Sequence, residues 1–176
     1  MKNDLLIYQV VGLTFTAFFG TILHFLYEWT NLILIAPISA VNESTWEHMK
    51  LVFIPSFVFA IIQSFIYKKE YNSFWFVKLI GILLSTLLIP ILFYTLTGAL
   101  GRLSGIVNIL IFFISVFIGY LVEFFIFDKI NIKGKFDIIY FLILLGILLL
   151  FIVFTFYPPK FPLFLDPVTN RFGITK

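Results

Sequence analysis

Five long runs of apolar side chains govern what this 176-residue chain can fold into. A helix needs roughly 20 mostly apolar residues to cross a bilayer core of about 30 Å. The stretches 5–27, 49–67, 74–100, 106–127 and 136–157 each have that character. Runs such as "FLILLGILLLFIVFTF" lack the strict apolar–polar alternation of outer-membrane strands, which excludes a β-barrel. With 61% hydrophobic and 12% charged residues, a soluble fold of this length has too little interior to hide the apolar surface. The expected fold is all-α: a single integral membrane bundle of five transmembrane helices over 1–176. A re-entrant or interfacial segment lies between the first two helices, and an ordered Pro- and Phe-rich tail occupies 158–176.

The apolar run after "MKND" is longer than the core of a signal peptide, and no small-residue cleavage site follows, so it reads as a retained span. The absence of cysteine removes disulfides, thiol nucleophiles and thiolate metal sites together. A net charge of +3 calls for no nucleic acid.

Five spans put the termini on opposite faces, and basic residues in short loops choose which is cytoplasmic. With the N-terminus inside, Lys2, Lys68, Lys69, Lys78, Lys129, Lys133 and Lys135 face the cytoplasm. Lys50, Arg102, Lys160, Arg171 and Lys176 face outward. The two most basic loops, "YKKEYN" and "DKINIKGK", favour this orientation. The segment 24–50, Arg102 and Asp166 then share the outer side.

That segment, "HFLYEWTNLILIAPISAVNESTWEHMK", holds both histidines of the chain with Glu28, Glu43 and Glu47. "NLILIAPISA" is too short to span and too apolar for a free loop, as re-entrant and interfacial segments are. "STWE" reads as a capping box, in which Ser44 accepts the Glu47 amide and the Glu47 carboxylate reaches back to the Ser44 amide. The cap leaves His24, Glu28, Glu43 and His48 unexplained. His24 and Glu28 are four residues apart on one helix face, and imidazole with carboxylate is an ordinary ligand set for Zn²⁺, Mn²⁺ or Fe²⁺. His24, Glu28 and His48 are therefore the expected metal ligands, for a divalent transition metal. Glu43 and Glu47 are the candidate general bases. A wider ligand-binding set adds Asn42, Trp46, Arg102 and Asp166.

On the first helix, Gln9, Gly12, Thr16, Gly20, His24 and Glu28 follow at spacings of three and four, forming a small-residue packing seam. The Gly12/Thr16/Gly20 face is also the expected docking surface for a partner membrane protein. Pro55 and Pro90 predict kinks in the second and third spans. Ser85, Thr86, Tyr94, Thr95 and Thr97 make part of the third polar. The fourth carries Asn108, Ser115, Tyr120 and Glu123, with Gly119 beside them. Glu123 must point into the bundle, with Tyr120 and with Lys68 or Lys69 in reach. The fifth span, almost purely apolar, is the expected lipid-facing wall. In the tail, "DP" and "TNRFG" are turn chemistry, and Phe161, Phe164 and Phe172 give it something to bury, as a lid over the cluster or as an interfacial tail.

At "SAVNESTWEHMKL" and "PPKFPLFLDPVTNRFGI", the chain resembles a family of small bacterial membrane proteins classed as a domain of unknown function. That family carries a similar N-E-S-x-W-E-H-x-K segment and a D-P-V-T ending. The resemblance spans essentially the whole chain and implies no activity. It implies that Asn42, Glu43, Ser44, Trp46, Glu47, His48, Lys50 and 166–169 are its signature positions.

Three functions fit this pattern. The first is a small-molecule or ion binding and transport module, which without a P-loop would draw its energy from another protein or a gradient. The second is a membrane-embedded, metal-dependent hydrolase or transferase acting on a lipid-like substrate, with Glu43 or Glu47 as base. The third is a structural accessory protein. A transport module predicts a bound small molecule or a fixed partner, an enzyme predicts a metal or an acyl chain beside the carboxylates, and a scaffold predicts Glu43 and His48 tied to backbone with no cavity.

Overall fold

The computed structural model describes residues 2–67, 73–127, 129 and 137–174. They form five helices: α1 (Lys2–Thr30), α2 (Thr45–Tyr67), α3 (Phe74–Leu100), α4 (Gly105–Phe127) and α5 (Asp137–Phe156). All five are long and apolar enough to cross a bilayer. The chain is a multi-pass membrane protein with a five-helix bundle, and the described residues contain no strand longer than the isolated Leu165–Phe172 bridge. The expected spans fall on these helices, within a few residues at the ends. The loops carrying Lys68, Lys69, Lys133 and Lys135 lie outside the described residues.

Local chemistry explains the helix ends. Asn31 adopts φ 53° just after α1, the left-handed conformation that asparagine tolerates and that commonly stops a helix. Gly101 does the same for α3 at φ 78°, its amide reaching the Thr97 carbonyl at 2.9 Å. At the other end of α3, the Trp75 amide, one of the donors a helix start leaves without an internal partner, is capped by the Asp137 carboxylate from α5 at 2.8 Å. Both α2 and α3 continue through Pro55 and Pro90.

α2 is the axis of the bundle. About two-thirds of its span (67%) is buried, against 39% for the next most buried helix and 17% for α5. Phe53 and Phe57 on α2 stack with Phe151 and Phe141 on α5, at 5.1 and 5.8 Å between ring centres. The outward faces of α4 and α5 expose Ile109, Phe113, Phe117, Leu142, Leu149 and Val153, in keeping with a lipid-facing wall.

The α1–α2 connection, residues 31–44, is a chain of turns with no helix. Leu32, Ile33 and Leu34 point outward, while Ala36 and Ser39 are fully buried. Ser39 anchors the loop to α1: its hydroxyl donates to the Leu23 carbonyl and accepts the Tyr27 amide at 2.9 Å. The Ala40 amide also donates to Leu23 O, at 3.1 Å. One hydroxyl thus bridges two positions four apart on α1 and turns the loop back over that helix.

The Gly12/Thr16/Gly20 face is a seam within the chain. A Cβ at Gly12 would meet Phe59 and Tyr120 at 2.5 Å, and one at Gly20 would meet Phe112 at 2.6 Å and the Leu51 carbonyl at 2.7 Å. Thr16 is fully buried. α2 and α4 occupy this face, so the expected docking of a partner protein on it is corrected. Gly20→Leu is expected to destabilise the folded protein by about 1–3 kcal/mol through overpacking against a backbone carbonyl, read as a lower Tm in detergent; an unchanged Tm would contradict this packing.

Candidate functional site

The site rests on a buried ion pair. The Lys50 side chain is fully buried, with its ammonium 2.6 Å from Glu47 Oε2. The same nitrogen donates to the Ala36 carbonyl and to Thr155 Oγ1, each at 2.9 Å. Its three protons are therefore used on the loop, on α5 and on its own helix. Glu47 Oε2 also accepts the Val41 amide at 3.1 Å. Taking two charges out of water is costly, and this degree of hydrogen bonding offsets the cost.

This pair alters two expectations. Half of the capping box forms: the Glu47 amide donates weakly to Ser44 Oγ at 3.4 Å. The other half does not, because the Ser44 amide goes to Asn42 Oδ1 at 2.8 Å and the Glu47 carboxylate turns inward to Lys50. At 2% exposure and already holding a cation, Glu47 is a structural group, badly placed for the expected role of general base.

Beyond the lock, the loop delivers Glu43 to the two histidines. Its carboxylate lies 3.8 Å from His24 Nε2 and 3.5 Å from His48 Nε2. The imidazole rings are 5.3 Å apart, and one ligand atom from each of the three residues lies within 4.8 Å of the others. Tetrahedral ligands about 2.0–2.1 Å from a zinc ion stand about 3.3 Å from one another, so small side-chain shifts would close these three on an ion. Glu43 is half exposed and both histidines are partly exposed, which leaves room for the shift. His48 Nδ1 lies 2.9 Å from the Ser44 carbonyl. A carbonyl only accepts, so Nδ1 carries a proton, and Nε2 is the nitrogen turned to Glu43. Orienting contacts of this kind are usual behind metal-bound histidines.

Glu28 does not join this group. It is exposed on α1, one residue past Tyr27, where Ser39 folds the loop back, and the fold brings Glu43 to His24 in its place. Sequence spacing favoured the i, i+4 pair; the tertiary contact that supplies Glu43 leaves no trace in spacing.

Two cavities meet at the cluster. The first, about 340 Å³, lies between α1 and α4, with Gly20, His24, Glu43, His48, Asn108 and Phe112 among its lining. The second, about 540 Å³, runs between α3 and α4 toward the tail and also touches Glu43, His48, Asn108 and Phe112. Arg102, exposed, Thr97 and Pro167 line its far side. Asn108 stands in both cavities, although its sequence context gave no sign of a role here.

The remaining expected residues make contacts within the chain. Asn42 donates its side-chain amide to the Gly173 carbonyl at 2.8 Å, tying the loop to the tail. Asp166 accepts from the Val168 amide at 2.9 Å and from Thr169 Oγ1 at 2.7 Å, closing its own turn. The Trp46 ring packs on Phe151 and Phe164, 4.4 and 4.7 Å away. The tail therefore docks on Trp46 and walls the second cavity with Pro167 and Val168.

Lys50→Ala strands the Glu47 carboxylate in the core and is expected to cost about 3–5 kcal/mol. The double variant Lys50→Met/Glu47→Leu should recover much of that loss, measured by thermal unfolding in detergent. A double variant no more stable than Lys50→Ala would show that the pair contributes more than mutual neutralisation.

Residues 2–174 match the model of a family of unknown function, DUF6512, and the chain belongs to that family. No curated protein and no solved structure matches it.

Proposed function

We propose that this membrane protein is an ion-binding module of a transport system, with a divalent transition-metal ion held by His24, Glu43 and His48. The observation that carries the reading is the trio itself: three ligand atoms within 4.8 Å, partly exposed, where two cavities meet. Three protein ligands leave one or more coordination positions open, which suits an ion that must enter and leave. A cluster that served only to fold the loop would have its polar groups tied to backbone. Glu43 is instead half exposed, with both its oxygens turned to the histidines.

The proposed orientation keeps the N-terminus in the cytoplasm of a bacterial inner membrane and turns the cluster outward. Lys50 and Lys78 leave the charge comparison, since both are buried in ion pairs. Of the basic residues counted from the sequence, six then remain inside against four outside, and the bias keeps its sign.

A metal-dependent hydrolase or transferase acting on a lipid-like substrate is the second reading. The observation favouring it is the first cavity, whose walls between α1 and α4 include Phe25, Ile109, Phe112 and Phe113 beside the open side of the trio. An ion there would polarise the head of an amphiphile whose chain lies in the groove. In that case a lipid should be consumed by metal-loaded protein, whereas a transport module returns its ion unchanged.

Elemental analysis of purified protein tests the shared premise. Wild type and Glu28→Ala are expected to carry near-stoichiometric metal, and His24→Ala, Glu43→Ala and His48→Ala to lose it. Loss in Glu28→Ala alone, or no metal after incubation with Zn²⁺ or Mn²⁺, would sink the assignment.

A further inference from the structure

α1 and α2 run antiparallel in a register that pairs their polar residues across one seam. At the cluster end, His24 faces His48. Eight residues further into the bundle on each helix, Thr16 Oγ1 meets Ser56 Oγ at 3.3 Å. Seven further again, Gln9 on α1 comes level with Gln63 on α2. Gly12 against Phe59 and Gly20 against Leu51 hold the same register between these levels.

α4 joins the levels from the side. The Tyr120 hydroxyl is 2.8 Å from Thr16 Oγ1, and its ring lies 5.4 Å from the Lys78 ammonium. Lys78 in turn binds Glu123 Oε2 at 2.5 Å, with both side chains buried. This is the partner that Glu123 was expected to find in Lys68 or Lys69, which lie outside the described residues. Gly81 makes room for it, since a Cβ there would stand 2.2 Å from Glu123 Cγ.

Two further observations give the seam a purpose beyond packing. Gln9 and Gln63 are 4% and 1% exposed; the Gln63 carboxamide has no hydrogen-bond partner among the described residues, and Gln9 lies beside the Glu123 carboxylate. Unpaired polar groups are too costly to leave bare at membrane depth, and buried water is their usual partner. At the other end, the first cavity reaches down to Gly20, one turn above Thr16 and about 6 Å from it along the helix.

We infer that this seam is a hydrated proton path, running from the first cavity through the Thr16, Ser56 and Tyr120 hydroxyls to the Lys78–Glu123 pair. Each hydroxyl accepts a proton from one neighbour and gives its own to the next, so the relay returns to its starting composition. Water held by the Gln9 and Gln63 carboxamides carries the proton over the last step. It arrives on a Glu123 carboxylate oxygen, which becomes a neutral acid, and Lys78 stays an ammonium; release of the proton to water at the near end of α4, four residues on at Phe127, restores the pair. Ionisable residues within membrane spans commonly mark such relays. The path uses residues outside the His24–Glu43–His48 site and stands whether or not a metal binds there.

The chain contains no cysteine, so single thiols report on water without background. Ser56→Cys and Gln63→Cys are expected to react with a small water-borne methanethiosulfonate at least about tenfold faster than Leu144→Cys, because only a hydrated thiol ionises to the reactive thiolate. Leu144 is fully buried on α5 away from the seam. In vesicles with a trapped pH dye and an imposed pH step, wild type should pass protons faster than empty vesicles. Tyr120→Phe, which removes one hydroxyl and keeps the ring, should fall to the empty-vesicle rate. Two results would overturn the path: thiols at 56 and 63 as inert as the one at 144 in folded protein, or proton flux equal in wild type and Tyr120→Phe. Hydroxyl-radical labelling of the unsubstituted protein covers the case of a variant that fails to fold; labels along the seam support the path, and their absence overturns it.

Discussion

The Lys50 ammonium organises the end of the bundle where the chemistry sits. A cation without a partner is expensive in a low-dielectric core, and this one is surrounded by Glu47, the Ala36 carbonyl and Thr155. Those three partners belong to α2, to the α1–α2 loop and to α5. Satisfying one charge therefore fixes three parts of the chain together. The loop, pinned at Ala36 by Lys50 and at Ser39 by α1, turns back far enough to present Glu43 between His24 and His48. The position of that carboxylate is a consequence of the lock rather than of any local propensity.

The two buried ion pairs and the open cluster divide the polar groups by role. Glu47–Lys50 is saturated by backbone and hydroxyl partners, which marks it as architecture. Lys78–Glu123 has, among the described residues, each other, three aromatic rings about 5.4–5.9 Å from the ammonium and the Gln9 carboxamide beside Glu123. Glu43 with the histidines is partly wet and flanked by cavities. As hydrogen-bond satisfaction falls from the first to the last, the scope for chemistry rises.

Much of the fold was legible because the bilayer imposes a length. The five spans follow from runs of about 20 apolar residues, and α3 matches its expected bounds at 74–100 residue for residue. The seam on α1 was legible as a period of three and four. What it packs against was not, because a small-residue face looks the same whether a sister helix or a partner protein covers it. The choice of Glu43 over Glu28 was hidden for a related reason. His24 and Glu28 sit one turn apart on one helix, whereas Glu43 arrives through a 14-residue loop whose path depends on Ser39 and Lys50. Lys50 and Lys78 read as loop charges in the sequence, since burial of a lysine shows only once its carboxylate partner is placed.

The most direct test of the central claim is X-ray absorption spectroscopy at the zinc edge on Zn²⁺-loaded protein in lipid nanodiscs. Two imidazole nitrogens and a carboxylate oxygen at roughly 2.0–2.1 Å are the expected first shell, with the imidazole signature lost in His48→Ala along with the ion. A shell of water oxygens alone, or an imidazole signature unchanged in His48→Ala, would contradict the placement of a metal between His24, Glu43 and His48.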